Sequence, residues 1–372
     1  MKVIIVFGTR PEGIKFAPII QELMNTKEMD CILINTGQHR EILDQVLSLF
    51  LITPHYELNL MKPNQTLEEI TSEMMKKIGE VYEKENPDLV LVLGDTVTTF
   101  TCAYTAFLHR IPVGHIEAGL RTFNMYSPFP EEMYRKLVTN LSNYHFAPTE
   151  KSKTNLLEER IPENSIFVVG NPVIDALLDV TCRPYTFPSN IQKIINNKRR
   201  IILVTTHRRE NFIKLEGIYQ ALKQLLVDFD DIEIVFPVHP NPNVRKQVQD
   251  HLLTDTINSR IHLIEPLDYE CFSHLMKHSY LVITDSGGIQ EEAPALNIPV
   301  LVVRESTERR EGVEAGTLQL VGTDKEKILT ATRELLESSS EHSKMAQILN
   351  PYGNGTSAKQ IITLLKKIEK KL

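Results

Sequence analysis

Three carboxylates in one stretch of the chain have a spacing that suits acid/base chemistry. Asp95 and Glu117 each follow an apolar run, at 89–93 and 111–116, that predicts a buried parallel strand. Glu131 opens a predicted helix. In a doubly wound α/β sheet, residues just past the carboxyl ends of the strands line the ligand crevice. We therefore expect the three acids to meet in one cleft, where they could transfer protons on a polar, anionic substrate.

The same residues also have a simpler interpretation, as helix caps and surface charges. Any one of the acids fits that interpretation as well as it fits a site, whereas three acids placed alike favour a site. Arg135 stands four residues after Glu131 and therefore on the same face of the predicted helix.

Further cations follow the first predicted strand, at 3–7. The sequence turns there into a helix that has Pro11 in its first turn, where proline is tolerated. Arg10 and Lys15 would then lie at or near a helix N-terminus, which attracts anions. Neither the G-x-G-x-x-G nor the Gly-Lys-Ser/Thr pattern of common nucleotide-binding loops is present.

The second half of the chain has its own strand-to-helix turns with polar residues. Small residues at 286–288 follow a predicted strand and open a helix, so backbone N–H groups could approach phosphate oxygens. Glu292 lies one turn further on and could bind ribose hydroxyls. His207 and two arginines follow another strand, where an imidazole could protonate a leaving phosphate. Tight structural turns and a solvated loop are the alternatives.

The composition of the chain limits the classes of protein to which it can belong. The chain has 372 residues, 42% of them hydrophobic and 24% charged, which is typical of a globular protein of two domains. The net charge of -7 argues against a general nucleic-acid-binding protein. No run reaches the ~18 apolar residues of a membrane span, no signal peptide is recognisable, and the four cysteines have no zinc spacing. We expect a cytoplasmic protein that binds no metal and no membrane.

Strand and helix patterns alternate through both halves, and they predict two doubly wound Rossmann-like domains that face each other across a cleft. The expected division is an N-terminal α/β domain with the carboxylates at 1–170, a linker region at 171–198, a second α/β domain at 199–355 and a C-terminal helix at 356–372. The linker is placed where Pro and Asn accumulate and apolar periodicity fades.

Taken together, these motifs resemble those of the non-hydrolysing bacterial UDP-N-acetylglucosamine 2-epimerases. The resemblance runs from Lys2 to Leu365. It is carried by GTRPEGIKFAP at 8–18, TGQHREILDQVL at 36–47, GDTVTTF at 94–100, HIEAGLRT at 115–122, SPFPEEMYR at 127–135, THRREN at 206–211, DSGGIQEEAP at 285–294, TERREGVEAGT at 307–317 and NPYGNG at 350–355.

The resemblance implies a fold, an activity and partners. Members of that family have the two-domain fold of GT-B glycosyltransferases and interconvert UDP-GlcNAc and UDP-ManNAc. They use no cofactor and no redox step, and they are typically homodimers. Their product is a precursor of cell-wall polymers and capsules. We therefore expect UDP-GlcNAc, UDP-ManNAc and UDP as ligands of this chain.

The resemblance also assigns roles, residue by residue. The implied catalytic residues are Asp95, Glu117, Glu131 and His207. The implied substrate contacts are Arg10, Ser286, Gly287 and Gly288 at the diphosphate, Glu292 at the ribose, Phe272 at the uracil, and Lys15, Arg135 and Arg309 as charged motif positions. Residues that match a second, activating UDP-GlcNAc site of some members are Gln38, His39, Glu41, Arg208 and His239.

Several positions depart from the family pattern, which usually has Ala at Gly13, His at Leu93, Thr at Val97, Asn at Tyr134 and Pro at Arg310. Tyr134 stands three residues from Glu131, so its ring either narrows the sugar pocket or packs away from it. Three alternatives therefore stay open from the sequence: a hydrolysing epimerase, a GT-B glycosyltransferase, and a weakly active sugar-nucleotide-binding paralogue.

Overall fold

The computed structural model of the chain describes residues 1–38, 40–62, 64–206, 215–238, 245, 248, 252 and 259–370. These residues form two compact units. The first unit contains Met1–Ala176 and Tyr352–Leu372, and the second contains Leu177–Pro351. The chain therefore passes from one unit to the other twice, once inside a helix and once just before the C-terminal helix.

The first unit is built on a parallel sheet whose order is β3-β2-β1-β4-β5-β6-β7 in the described part of the chain. Its strands are β1 Lys2–Phe7, β2 Asp30–Asn35, β3 Tyr56–Glu57, β4 Leu89–Leu93, β5 Val113–Ile116, β6 Tyr144–Ala147 and β7 Ile166–Val168. The apolar runs are strands because helices cover both faces of a parallel sheet. As predicted, β4 and β5 pair in parallel, with Leu93 opposite Ile116.

Helices connect these strands. They are α1 Arg10–Met24, α2 Arg40–Leu49, α3 Leu67–Glu85, α4 Val97–Leu108, α5 Glu131–Leu141, α6 Glu150–Glu158 and α7 Pro172–Cys182. Threonine side chains cap the N-termini of four of them, at Thr9, Thr66, Thr96 and Thr149, because a hydroxyl oxygen accepts from an otherwise unbonded N–H of the first turn. The sequence pattern predicts the cap at Thr149, whose side chain accepts from the N–H of Ser152.

The second unit repeats the arrangement with the order β10-β9-β8-β11-β12-β13, again parallel among the described residues. Its strands are β8 Arg200–Thr205, β9 Ile232–Pro237, β10 Ile261–Ile264, β11 Leu281–Thr284, β12 Val300–Val302 and β13 Leu318–Leu320. Its helices lie at Ser189–Asn196, Leu215–Asp228, Tyr269–Lys277, Gly287–Ala295, Arg310–Ala315, Lys325–Glu337 and Ser339–Ala346. The predicted α/β class with two doubly wound parallel sheets is confirmed.

Some elements differ from expectation. The Pro- and Asn-rich stretch 171–198 holds α7 and the helix Ser189–Asn196. The short strands Tyr56–Glu57 and Leu318–Leu320 were not predicted, since two or three residues give no periodic signal. The sequence pattern also predicts a helix over 244–253, and most of those residues lie outside the described ones.

The C-terminal helix, Ser357–Glu369, belongs to the first unit and packs against α1. Its apolar side is buried, and Asp175 of α7 accepts a hydrogen bond from the N–H of Ala358 at 2.9 Å. This bond satisfies one of the free N–H groups at the start of the helix. Among the helices that the structure describes, none is both long and apolar enough to cross a bilayer.

A buried histidine supports the turn after β4. His115 lies in β5 with no solvent exposure, and its Nε2–H donates to the carbonyl oxygen of Gly94 at 2.8 Å. Gly94 has a φ of +74°, a conformation that glycine adopts without strain. Burial lowers the pKa of His115 to about 3, so the imidazole is neutral in the folded protein near neutral pH.

We predict that His115→Gln makes the stability of the first unit less sensitive to acid. Below the ordinary histidine pKa of ~6.5, the unfolded chain binds a proton at His115 that the folded chain does not bind. Stability therefore falls with decreasing pH, by up to about 1.4 kcal/mol per pH unit from this residue. The variant should lack that slope in urea unfolding between pH 6.5 and 5. His278→Gln, at an exposed position, is the control, and identical slopes for wild type and His115→Gln would contradict the prediction.

Candidate active site

Two strand-to-helix turns of the first unit are joined by one buried carboxylate, Glu12. Its Oε2 accepts from the N–H groups of Gly8 and Thr9, each at 2.8 Å, in the turn after β1. Its Oε1 accepts from the hydroxyls of Thr96 at 2.5 Å and Thr99 at 3.3 Å, at the start of α4. Burial raises the pKa of Glu12, and these hydrogen bonds oppose the rise. The turn that carries Arg10 is therefore fixed to the turn that carries Asp95.

Asp95 is held by an arginine from α5. The guanidinium of Arg135 donates to Oδ2 of Asp95 through Nε at 2.8 Å and contacts it through Nη2 at 2.6 Å. Its Nη1 donates to Glu132 at 2.9 Å. Glu132 is completely buried, whereas the side chain of Asp95 is 27% exposed. Arg135 thus connects the buried Glu132 to Asp95, whose partly exposed side chain can reach a ligand.

Glu132 also fixes the loop between β5 and α5. Its two oxygens accept from the N–H groups of Thr122 and Phe123, both at 3.0 Å. Phe123 has a φ of +62°, so the carboxylate stabilises a backbone conformation that a phenylalanine rarely adopts. A buried carboxylate with three donors is well satisfied, which makes Glu132 the anchor of this loop.

Glu117 has a different set of partners. The ammonium group of Lys15 donates to both of its oxygens, at 2.7 and 2.6 Å, and the side-chain amide of Asn171 donates to Oε1 at 3.2 Å. The backbone of Glu117 is left-handed, with a φ of +64°. Its Oε2 lies 3.4 Å from the position that a Cβ would occupy at Gly94, so the turns of Asp95 and Glu117 are neighbours.

Glu131 is the first residue of α5, as the sequence predicted. Within the described part of the chain, its Oε2 is buried and has no hydrogen-bond partner. An unbonded buried carboxylate oxygen is costly, and such strain is typical of a group that meets a ligand. The three predicted acids therefore lie in three adjacent structural elements of one unit, each with its own environment.

The sequence allowed two orientations for the ring of Tyr134, and in the structure the ring packs away from the expected sugar pocket. Its ring stacks on Phe100 of α4, with centroids 5.2 Å apart and planes 9° apart, and it packs against the apolar core of the unit. Burial, helped by the charge of Glu131, raises the pKa of Tyr134. The ring thus lies near Glu131 without being bonded to it in the described structure.

The glycine-rich turn of the second unit opens a helix, as predicted. Ser286 is the N-cap of Gly287–Ala295, so Gly287 and Gly288 form its first turn. Arg309 lies beside Gly287 and donates from Nε to Glu291 at 2.7 Å. A helix N-terminus next to a guanidinium is a favourable site for phosphate oxygens.

Two further predicted contacts lie nearby in that unit. Glu292 is mostly buried and accepts from the hydroxyl of Tyr269 at 3.0 Å. Phe272 stands in the same helix as Tyr269, half-buried against the core. Tyr269 was not predicted from the sequence, since only its hydrogen bond to Glu292 distinguishes it from other surface tyrosines.

The remaining predicted residues are placed as follows. Arg10 is exposed at the start of α1, and Gln38 accepts a hydrogen bond from Thr98 at 3.4 Å. The other predicted residues, or their side chains, lie outside the described residues: His39, Glu41, His207, Arg208 and His239. No group of three or more His, Cys, Asp or Glu suited to a metal ion occurs in the ranges that are described.

Sequence reasoning missed Glu12, Glu132 and Asn171 as members of the site. Glu12 and Glu132 stand inside the quoted motifs, whereas Asn171 lies outside them. The contacts that make these residues important form only in the folded chain. Glu12 contacts Thr96, and Asn171 contacts Glu117, 54 residues away. In the sequence, Glu132 could have been noticed as a second acid directly after Glu131.

Two doubly wound α/β units, one with clustered acids and one with a glycine-opened helix, define a class of proteins that bind nucleotide-linked ligands at strand ends. The profile of a family described as UDP-N-acetylglucosamine 2-epimerase matches residues 21–366. The chain belongs to this UDP-N-acetylglucosamine 2-epimerase family. It is accordingly an enzyme.

Individual relatives agree with the family match over the whole length. The UDP-N-acetylglucosamine 2-epimerase of Bacillus subtilis is 47% identical, with 97% of this chain and 94% of that protein aligned. The crystal structure of the UDP-GlcNAc 2-epimerase of Neisseria meningitidis, bound to UDP-GlcNAc, gives a TM-score of 0.88 at 48% identity, covering 99% of this chain and 100% of that one. The Methanocaldococcus jannaschii enzyme, in complex with UDP-GlcNAc and UDP, gives a TM-score of 0.79 at 38% identity, covering 99% and 100%.

The anchoring role of Glu132 leads to a prediction. In Glu132→Gln, an amide N–H₂ replaces one acceptor oxygen and faces N–H donors, so at least one of them is left unpaired. We expect the free energy of unfolding to fall by about 1–3 kcal/mol. Turnover should fall about 10- to 100-fold because Arg135 no longer aims at Asp95.

Thermal unfolding and steady-state kinetics test both effects. Glu159→Gln is the matched control, since it breaks another Arg–Glu pair of the same unit, that of Arg121 and Glu159. The control should lose stability and keep its turnover. Equal kinetic losses in the two variants would mean that Glu132 acts on the fold alone.

Proposed function

We propose that this enzyme interconverts UDP-GlcNAc and UDP-ManNAc by non-hydrolysing inversion at C2. The observation that carries the proposal is the set of three acids in adjacent elements, each with a different partner: Asp95 with Arg135, Glu117 with Lys15, and Glu131 with an unbonded buried oxygen. Membership of the epimerase family and the UDP-GlcNAc-bound relative support the choice of substrate.

The chemistry explains why several acids are needed. The hydrogen at C2 of the sugar has no neighbouring carbonyl, so direct removal of the proton is difficult. In the elimination route, the C1–O bond breaks and its electron pair leaves with UDP. The C2–H electron pair then forms a C1–C2 double bond while a carboxylate takes the proton, which gives a 2-acetamidoglucal. Re-addition delivers a proton to the other face of C2 and rejoins UDP at C1, so no net oxidation occurs.

The environments of the acids suit these steps. The unbonded oxygen of Glu131 is suited to take or return a proton, because it has no hydrogen bond to break first. The acidic side chains of Glu117 and Asp95 are suited to stabilise positive charge that develops at C1. His207, which lies outside the described residues, remains a predicted fourth member.

We assign binding of UDP, the leaving group, to the second unit. The N–H groups at Gly287 and Gly288, with Arg309 beside them, would hold the diphosphate. Glu292 would bind the ribose and Phe272 would lie beside the uracil. Arg10 and Ser286 remain predicted diphosphate contacts. A second, activating UDP-GlcNAc at Gln38, His39, Glu41, Arg208 and His239 remains a prediction, as does a cytoplasmic role in supplying wall or capsule precursors.

Incubation with UDP-GlcNAc in deuterated water tests the reaction. We expect UDP-ManNAc that carries deuterium at C2. Free N-acetylmannosamine would indicate a hydrolysing enzyme, transfer of the sugar to an added acceptor would indicate a glycosyltransferase, and binding without exchange would indicate a sugar-nucleotide-binding protein.

The same assay tests the acids. Asp95→Asn, Glu117→Gln and Glu131→Gln should each reduce turnover at least ~100-fold, the lower range for a positioned acid or base, and should largely keep UDP affinity. Glu158→Gln, an exposed acid on α6, is the control. Near-normal turnover in all three variants would overturn the site.

We also propose that the enzyme is a homodimer. Large apolar side chains are exposed on the packed helices α4 and α5: Phe107, Leu108, Met133 and Leu137 are 37–57% exposed. Exposed apolar side chains on neighbouring elements are typical of interfaces. Sedimentation should show a dimer, and Phe107→Glu should weaken it, while Lys151→Glu, at an exposed position of α6, should not. A monomeric wild type would contradict the proposal.

A further inference from the structure

Asn171 contacts three parts of the first unit: Glu117, the start of α7 and Tyr352. Its side chain is buried, with 1% exposure. Its amide nitrogen Nδ2 donates to Oε1 of Glu117 at 3.2 Å. Its own backbone N–H donates to the carbonyl oxygen of Tyr352 at 2.7 Å. We propose that Asn171 is the positioning residue for the Glu117 carboxylate in the epimerisation reaction.

The orientation of the Asn171 amide is determined by its other bond. Oδ1 accepts from the N–H of Val173 at 3.2 Å, the geometry of an N-cap on α7. Pro172 stands at the first helical position, where it leaves no N–H unpaired. Because Oδ1 is committed to the helix, Nδ2 must point the other way, and its donor reaches Glu117.

Two described partners of Glu117 differ in how strictly they define its orientation. The residue has a left-handed φ of +64°, and Lys15 binds both carboxylate oxygens through a long, flexible side chain. Lys15 sets the charge next to Glu117, whereas the short amide of Asn171 sets its direction. The inference rests on the proposed function, since it takes Glu117 to be one of the reacting acids.

The charged and titratable groups near Glu117 make a pH readout informative. Lys15 from α1 is bonded to it. His115 in β5 interacts with its charge and is itself neutral, because burial lowers its pKa to about 3. A change at residue 171 that acts on Glu117 should therefore appear in the pH profile of turnover, whereas a change that acts only on folding should not.

Two replacements separate the bond to Glu117 from the cap on α7. Aspartate and serine both cap helices well, so both should keep the bond to Val173. Asn171→Asp replaces the amide donor by a second carboxylate, and like charges raise the pKa of a neighbouring acid. Asn171→Ser removes the amide without adding charge, and therefore tests the loss of the hydrogen bond alone.

The experiment measures epimerisation of UDP-GlcNAc from pH 5.5 to 9 in wild type and both variants. We expect the pH profile of turnover to move to higher pH by at least about one unit in Asn171→Asp, and by less in Asn171→Ser. At pH 7.5, kcat should fall about 10- to 100-fold in Asn171→Asp, with KM nearly unchanged. Circular dichroism and thermal unfolding check that each variant is folded.

Wild-type pH profiles in both variants, whatever their kcat, would overturn the inference, because Asn171 would then serve only as a helix cap. If Asn171→Asp fails to fold, Asn171→Ser decides alone, since a wild-type kcat and profile in that variant overturns the inference. Glu117→Gln separates this failure from that of the proposed function. Lost turnover in Glu117→Gln with unchanged Asn171 variants contradicts the inference only, whereas retained turnover in Glu117→Gln contradicts both.

Discussion

The buried carboxylate of Glu12 is the interaction on which the geometry of the first unit depends. Its oxygens are bonded by donors from two turns that follow β1 and β4. Leaving a buried carboxylate without such donors is strongly unfavourable, so neither turn can move alone. The first turn leads into α1, whose Lys15 bonds Glu117, and the second turn carries Asp95. The relative positions of the proposed acids therefore follow from a residue that has no part in the chemistry.

The three proposed acids of this unit have different surroundings. A guanidinium holds Asp95, an ammonium and an amide hold Glu117, and an oxygen of Glu131 is left unbonded in the part of the chain that is described. Acids that must exchange roles in a reversible proton transfer benefit from such differences, because identical carboxylates would compete for the same proton state. The three proposed acids therefore differ in the charge and the hydrogen bonds that surround them.

The sequence predicted those features that depend on residues close together in the chain. Buried parallel strands appear as apolar runs, so β4 and β5 and the acids after them were predictable. Tyr134 was not, because helical spacing allowed two orientations and the stack on Phe100 decides between them. Glu132 and Asn171 were missed for a related reason: their importance lies in hydrogen bonds that form only in the folded chain, to the loop at 122–123 for Glu132 and to Glu117 for Asn171. The comparisons with relatives established the family, whereas the roles of individual residues still rest on the geometry.

The return of the chain to the first unit at Tyr352 has a consequence for biosynthesis. Tyr352 bonds the backbone of Asn171, and Asp175 caps the C-terminal helix. The residues of the second unit, Leu177–Pro351, must be translated in between. At about 5–20 residues per second, that interval lasts roughly 9 to 35 s. A nascent chain on the ribosome thus holds every proposed acid of the first unit long before the residues that bond Asn171 and Asp175 are made. A messenger truncated near its 3′ end would encode the acids without Tyr352 and the C-terminal helix.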